Sequence, residues 1–175
     1  ADGDDGGENV AANVITGNVT FTATGQTVEM DGTKGDEIQG TLVLDQADHT
    51  LTFTNTPTIG AITRSTGNPV NLPASTVTNV LTVSGGRINL TGNVTTGSVA
   101  ISGGTLDIAA LDLTVNGDFT RTGGAFGSAG VGTLAFATDT DATFTPGPNF
   151  VLRELTVTKV NSTLTIDNQV TVSGV

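Results

Sequence analysis

The chain has 175 residues, and 17 acidic residues against 6 basic ones give it a formal net charge of −11. This charge excludes nucleic acid as a partner, and for the same reason binding to an anionic membrane surface is not expected. Insertion into a bilayer is not expected either, because no apolar run is long enough to span one. The chain contains no cysteine, which excludes disulfide bonds and thiolate metal sites.

Residues 1–13 are acidic, rich in glycine and poor in large apolar side chains, which predicts a flexible tail. Four of their carboxylates lie close together in the sequence and supply the oxygen ligands that Ca²⁺ prefers: Asp2, Asp4, Asp5 and Glu8. Calcium is therefore the one cofactor for which the sequence offers candidate ligands, and a solvated acidic surface is the favoured alternative. The same two interpretations apply to two further groups: Glu29, Asp31, Asp36 and Glu37, and Asp139 with Asp141.

Residues 14–73 alternate apolar and polar residues with an irregular period, which predicts a β cap or a small β module. Val19 and Phe21 lie on one face of the first such segment. The only histidine, His49, is expected to be a solvated turn residue rather than part of a catalytic triad, because no nucleophile motif accompanies it. Three prolines between Pro57 and Pro73 predict a loop or a module boundary.

Residues 74–175 contain a repeat. Residues 80–90 read Val-Leu-Thr-Val-Ser-Gly-Gly-Arg-Ile-Asn-Leu, and residues 98–108 return the same pattern of apolar residues around Ser-Gly-Gly at an offset of 18. Shorter echoes of its Leu-Thr-Val-Ser-Gly part occur at residues 113–117 and 170–174. Self-similarity of this kind predicts a repeat architecture in which each copy buries its face against the next.

The sequence predicts an all-β fold, since threonine is the commonest residue and no segment has helical periodicity. A parallel β-solenoid is favoured for residues 74–175, because its coils stack equivalent positions into apolar and Thr/Asn rows. An antiparallel β-sandwich is the alternative, and the scarcity of Asn-Gly and Asp-Gly turns counts against it.

The segments Gly-Thr-Leu-Ala-Phe (132–136), Leu-Thr-Val-Thr-Lys (155–159), Ser-Thr-Leu-Thr-Ile (162–166) and Val-Thr-Val-Ser-Gly (170–174) are similar to a known type of repeat. They resemble the Thr/Gly/Asn-rich β-solenoid repeats of large secreted bacterial surface proteins and adhesins, over about residues 80–175. This resemblance implies an extracellular location at the cell surface, in a stalk or a filament.

The sequence therefore predicts a non-enzymatic structural protein that forms homo-oligomers or filaments through β-strand edges, with cell-surface polysaccharide as a further candidate partner. The candidate assembly residues are Val19 and Phe21 near the start of the chain and Val170 and Val172 near its end. A carbohydrate- or ice-binding module on the same scaffold is the alternative, although the absence of tryptophan and tyrosine counts against sugar stacking.

Overall fold

In a computed structural model the chain forms a parallel β-solenoid of about eight turns, with no α-helix among the residues described. The structure describes residues 12–21, 23–46, 48–127 and 132–174. The predicted all-β solenoid is confirmed. The antiparallel sandwich is wrong, because the strands between Val14 and Val172 pair in parallel throughout.

Each turn, called a coil here, contributes two or three strands, and a long first strand takes the place of two short ones in coils 2 to 5. Coils 1 to 4 contain β1 (Val14–Ile15), β2 (Val19–Thr20) and β3 (Thr27–Asp31); β4 (Glu37–Val43) and β5 (Thr50–Thr54); β6 (Thr58–Arg64) and β7 (Val70–Leu72); β8 (Ser75–Val83) and β9 (Arg87–Leu90). Coils 5 to 8 contain β10 (Val94–Ile101) and β11 (Thr105–Asp107); β12 (Leu113–Val115), β13 (Phe119–Arg121) and β14 (Ala125–Gly127); β15 (Thr133–Phe136), β16 (Ala142–Thr145) and β17 (Phe150–Leu152); β18 (Glu154–Val157), β19 (Leu164–Ile166) and β20 (Val170–Val172).

The core consists of rows of interior side chains that stack from coil to coil at the strand spacing of about 4.8 Å. Row one is Ile15, Ile38, Ile59, Val77, Thr96, Val115, Phe136 and Val157. Row two is Val19, Leu42, Ile62, Leu81, Val99, Phe119, Phe144 and Ile166. The six inner residues of each row are buried, and each large apolar side chain among them contributes about 1.5–3 kcal/mol to stability.

Five phenylalanine rings enlarge the core in coils 6 and 7, and Phe136 packs on Phe144 with ring centroids 5.4 Å apart. Phe119 packs edge-to-face on Phe126, Phe144 and Phe150, with centroids 5.2–5.7 Å apart. Phe126 and Phe150 are stacked at 5.1 Å. These contacts add specific aromatic attraction to the burial of apolar area, so this part of the solenoid is its largest aromatic cluster.

The repeated phrase corresponds to successive coils, as its offset of 18 predicts. Val80 is directly opposite Ser98, and Arg87 is directly opposite Thr105. At the intervening corner Gly86 and Gly104 have φ of +61° and +62°. A Cβ atom on Gly104 would lie 2.5 Å from the carbonyl oxygen of Gly86. The Ser-Gly-Gly signature is therefore required both by a left-handed backbone and by the close approach of stacked corners.

The shorter echoes do not stack on the repeated phrase. Residues 81–83 pair with Val99 and its neighbours in β10, whereas residues 113–115 pair with Val94 and its neighbours in the same strand. Residues 170–172 pair with β17, on the third strand position of the coil. The Leu-Thr-Val phrase is thus a general strand sequence that occurs at all three strand positions.

The segment between Pro57 and Pro73 contains β6 and β7, so the prediction of a loop there is wrong. Strand β6 pairs with β4 on one side and with β8 on the other. The parallel ladder therefore continues across residue 73. The division of the chain at that residue into an N-terminal module and a repeat region stays a prediction.

Candidate functional site

The two ends of the solenoid are the places where the interior rows stop. The C-terminal end is formed by interior residues of coil 8: Leu155, Val157, Leu164, Ile166, Val170 and Val172. Val157 stacks on the fully buried Phe136 but is itself 47% exposed, and Ile166 stacks on the fully buried Phe144 but is 46% exposed. Among the described residues the outer edge of coil 8 has no strand partner, so the described part of the core is uncovered at this end.

The N-terminal end is formed by interior residues of coil 1: Ile15, Val19, Phe21, Val28 and Met30. A cavity of about 350 Å³ opens among these side chains. Ile15 stacks on the buried Ile38 but is 46% exposed. Both ends of the described solenoid therefore present apolar rows beside unpaired strand edges, which is the chemistry that strand addition uses.

The predicted assembly residues lie at these two ends. Val19 pairs with Leu42 in β4, and Phe21 packs against the core just after β2. Val170 and Val172 pair with Phe150 and Leu152 in β17. Sequence reasoning missed the other members of each end, Ile15 and Val157 among them, because only the register shows which alternating residues point inward. The role of all these residues in assembly stays a prediction.

The proposed calcium ligands Asp2, Asp4, Asp5 and Glu8 lie outside the described residues. Within the part of the chain that the structure describes, no group of three or more histidine, cysteine, aspartate or glutamate side chains is arranged to hold a metal ion. The acidic groups at residues 29–37 and 139–141 instead include carboxylates that accept hydrogen bonds from the backbone.

Six side-chain-to-backbone bonds of the described residues follow one rule, which we call the corner staple. An Asp or Asn side-chain oxygen accepts from the amide of the residue directly opposite it in the next coil. The pairs and their N···O distances are Asn18 with Thr41 (2.8 Å), Asp45 with Ser65 (3.0 Å), Asn93 with Asp112 (3.0 Å), Asp118 with Thr143 (2.7 Å), Asp139 with Val160 (2.6 Å) and Asp141 with Thr163 (2.8 Å). Several acidic residues thus complete the ladder at corners where the strands separate.

Three carboxylates that accept backbone hydrogen bonds have a lowered pKa, and one of them, Asp139, belongs to a corner staple. The amide of Val160 lowers the pKa of Asp139 below its ordinary value, with further donors at Asn161 and the charge of Lys159. The amide of Asp31 does the same for Asp36, which also accepts from Asn13 and so holds the entry to β1. Hydrogen bonds from Asn55 and the Thr33 amide lower the pKa of Asp31 itself. Hydrogen bonds to the charged form cause each shift.

The prediction of a solvated His49 is wrong. Its side chain is only 6% exposed and stacks on Phe21 with ring centroids 4.1 Å apart. Neither ring nitrogen has a hydrogen-bond partner among the described residues. Burial lowers the pKa of His49, and the charge of Arg64 lowers it further, while Asp48 opposes both. The ring thus joins coil 1 to the corner of coil 2.

Two arginines have structural positions that their scattered sequence positions did not reveal. Arg64 is fully buried in an interior position, and its guanidinium donates to the carbonyls of Leu44, Gln46 and Asn68. Arg121 donates to the carbonyls of Gly124, Pro146 and Pro148, and lies 5.5 Å over the Phe150 ring. Each guanidinium therefore serves as a donor that closes a corner.

Threonines form a row on the outer surface of the first strand position. Thr58, Thr76, Thr95 and Thr114 are directly opposite one another in four successive coils, and all are half-buried. The row continues with Ala135 and Thr156. The Thr-x-Thr pairs of β5 do not form such a row, because Thr52 and Thr54 are opposite Glu29 and Asp31.

Comparisons of the chain with protein-family models, with curated proteins and with solved structures found no match. The fold defines the class of protein as a parallel β-solenoid. No helix among the described residues has the length and apolar character needed to cross a bilayer.

Proposed function

We propose that the chain is a non-enzymatic, extracellular structural protein that acts as a filament subunit or as a stalk segment of a surface adhesin. The observation that supports this proposal best is the pair of open ends. At the C-terminal end, Val157, Ile166 and Val172 terminate buried rows yet are 46–49% exposed. Apolar rows beside unpaired strand edges are costly to leave in water and favour the addition of further strands.

The corner staples support the same proposal. Each staple joins one coil to the next, and with the interior rows they give the solenoid its strength along the axis. Stability of such a protein is a sum of coil and interface contributions, so added coils extend a rod without a change in design. A stalk or a filament at the cell surface would use that property. Cell-surface polysaccharide remains a candidate partner of the outer surface.

The test is negative-stain electron microscopy of the purified chain at high concentration, first with calcium and then with a chelator. We expect filaments whose width matches one solenoid. Their loss on chelation would support calcium binding by the acidic residues at 1–13. A chain that stays strictly monomeric in both conditions contradicts the filament proposal and leaves the stalk segment.

A second candidate is a binding surface for ice on the same scaffold. The observation that favours it is the outer row Thr58, Thr76, Thr95 and Thr114, whose members follow one another from coil to coil at the strand spacing of about 4.8 Å. Carbohydrate is less favoured, since none of the seven phenylalanines is exposed. The test compares the inhibition of ice recrystallisation by the wild-type chain with that by the Thr76→Leu and Thr95→Leu variants. Equal inhibition by all three contradicts this function.

A further inference from the structure

The interior rows have a consequence for the direction of assembly. Row one begins with Ile15 at the N-terminal end and finishes with Val157 at the C-terminal end, and every intermediate pair is parallel. Row two likewise runs from Val19 to Ile166. Each row stays on one side of the solenoid. The last residue of a row at the C-terminal end of one molecule can therefore lie opposite the first residue of the same row at the N-terminal end of another.

The strand edges agree with this arrangement. Coil 8 is related to coil 7 by the parallel pairs β15–β18, β16–β19 and β17–β20. A second copy shifted along the axis by the length of the described solenoid would place its β1, β2 and β3 in the same relation to coil 8. Such a contact joins two different surfaces, so it does not close on itself and generates an open filament.

The charges at the two ends distinguish this arrangement from a symmetric contact between two N-terminal ends. Residues 12–37 carry four carboxylates, Glu29, Asp31, Asp36 and Glu37, against one lysine, Lys34, a net charge of −3. Residues 153–174 carry Arg153 and Lys159 against Glu154 and Asp167, a net charge of zero. Two N-terminal ends facing each other would bring like charges together, whereas an N-terminal end facing a C-terminal end does not.

The chain's own first residues are the other candidate to cover the N-terminal end. Residues 1–11 carry four carboxylates and no basic residue, and Val10 is their only large apolar residue. They match neither the charge nor the apolar character of the cavity lined by Ile15, Val28 and Met30. The C-terminal end of a second copy brings no net negative charge and presents apolar rows.

We infer that the C-terminal end of one molecule adds to the N-terminal end of a second copy, head to tail, with Val157 placed on Ile15 and Ile166 on Val19. This inference rests on the proposed filament function and specifies its interface. It extends the solenoid without interruption of its interior rows. The second copy supplies both the missing strands and the apolar cover.

The test uses two full-length variants, Val157→Asp at the C-terminal end and Ile15→Asp at the N-terminal end. Each side chain is 46–47% exposed in the single molecule, so the variants are expected to fold, which a circular-dichroism melting curve checks. Each blocks one end, and we expect the concentration needed for assembly to rise about 30-fold or more. Val151→Asp is the matched control, because Val151 is 52% exposed and points outward from β17.

Analytical ultracentrifugation of an equimolar mixture gives the decisive result. Each variant alone is expected to be monomeric. The mixture is expected to form dimers and nothing longer, because one intact C-terminal end then meets one intact N-terminal end. Dimers of Val157→Asp alone would indicate contact between two N-terminal ends and overturn the inference.

The remaining outcomes separate this inference from the proposed function. Filaments that persist in both variants overturn the head-to-tail interface but leave the filament function standing. A wild-type chain that stays monomeric overturns both. A chain that assembles only after removal of residues 1–11 overturns the interface for the intact chain and assigns the N-terminal end to that segment.

Discussion

The Asp118 carboxylate accepts a hydrogen bond of 2.7 Å from the backbone amide of Thr143, the residue directly opposite it in the next coil. The flanking residues Phe119 and Phe144 continue the same ladder in β13 and β16. A side-chain oxygen thus takes the place of a backbone carbonyl at a corner where the chain turns away. An amide without an acceptor at this position is costly, so the aspartate extends the ladder by one bond.

The contribution of this staple is measured by two substitutions at one position. Asp118→Ala removes the acceptor, and we expect the free energy of unfolding to fall by about 1–2 kcal/mol. Asp118→Asn keeps an oxygen in place and is expected to cost less than about 0.5 kcal/mol. Urea denaturation followed by circular dichroism measures both. Equal losses for the two variants would show that the charge of Asp118, and not its hydrogen bond, stabilises the fold.

Asp139 makes the stability depend on acid. Its pKa is lower in the folded chain than its ordinary value of 3.8, because the amide of Val160 stabilises the charged form. The unfolded chain therefore binds the proton first, and the stabilisation present above about pH 4 is lost as the pH falls through the folded pKa. We expect the free energy of unfolding to fall less in Asp139→Asn than in the wild type between about pH 5 and pH 3, the range in which an ordinary carboxyl group takes up its proton. Parallel losses in the two proteins contradict this role.

The close approach of stacked corners is tested at two glycines with similar backbone. Gly104 and Gly25 have φ of +62° and +70°. A Cβ on Gly104 would meet the Gly86 carbonyl oxygen at 2.5 Å, whereas no described atom lies within 4 Å of a Cβ on Gly25. Gly25→Ala is expected to cost about 1–2 kcal/mol from backbone strain alone, and Gly104→Ala clearly more. Equal costs by chemical denaturation would argue against a tight corner.

The solenoid itself could be predicted because its signal is local. An offset of 18 residues brings two copies of Ser-Gly-Gly to the same corner, where Gly104 meets Gly86. The staples could not be predicted in the same way. The offset between directly opposite residues varies from 18 at Val80 to 25 at Phe119, so the partner of Asp118 has no constant sequence distance. From the sequence alone, Asp139 and Asp141 therefore indicate only a solvated acidic surface or calcium ligands.

The burial of Arg64 and His49 could not be predicted for a related reason. Arg64 lies two residues after the buried Ile62 and so shares its inward face, but a charged side chain is expected inside only where it has partners, and those partners, the carbonyls of Leu44, Gln46 and Asn68, are not apparent from the sequence. The same holds for His49, whose partner Phe21 belongs to the preceding coil. The open ends depend equally on register, since it decides whether Val157 points inward. Local alternation identifies strands but does not identify which face meets the core.

Arg64 provides a test of the guanidinium as a corner donor. Arg64→Leu leaves the carbonyls of Leu44, Gln46 and Asn68 without this donor, and we expect a loss of about 2–4 kcal/mol in the free energy of unfolding. Arg87→Leu is the matched control, because Arg87 is 44% exposed and pairs with Asp107 at the surface. That change is expected to cost less than about 1 kcal/mol. A ranking reversed in denaturant titrations would refute the proposed role of Arg64.

His49 makes the first coil sensitive to mild acid. Burial against Phe21 holds the pKa of His49 below its ordinary value of 6.5, with a further contribution from the charge of Arg64. The unfolded chain therefore binds a proton more readily than the folded one, so stability that is complete above about pH 6.5 declines as the pH falls below it. We expect His49→Phe, which keeps an aromatic ring against Phe21, to abolish this decline between about pH 7 and pH 5.

Hydrogen exchange at the amides of residues 12–31 reports whether coil 1 opens in acid, and NMR titration of the single imidazole gives the pKa directly. A midpoint at or above 6.5 would mean that the ring is hydrated in solution, and coil 1 would then not open through His49.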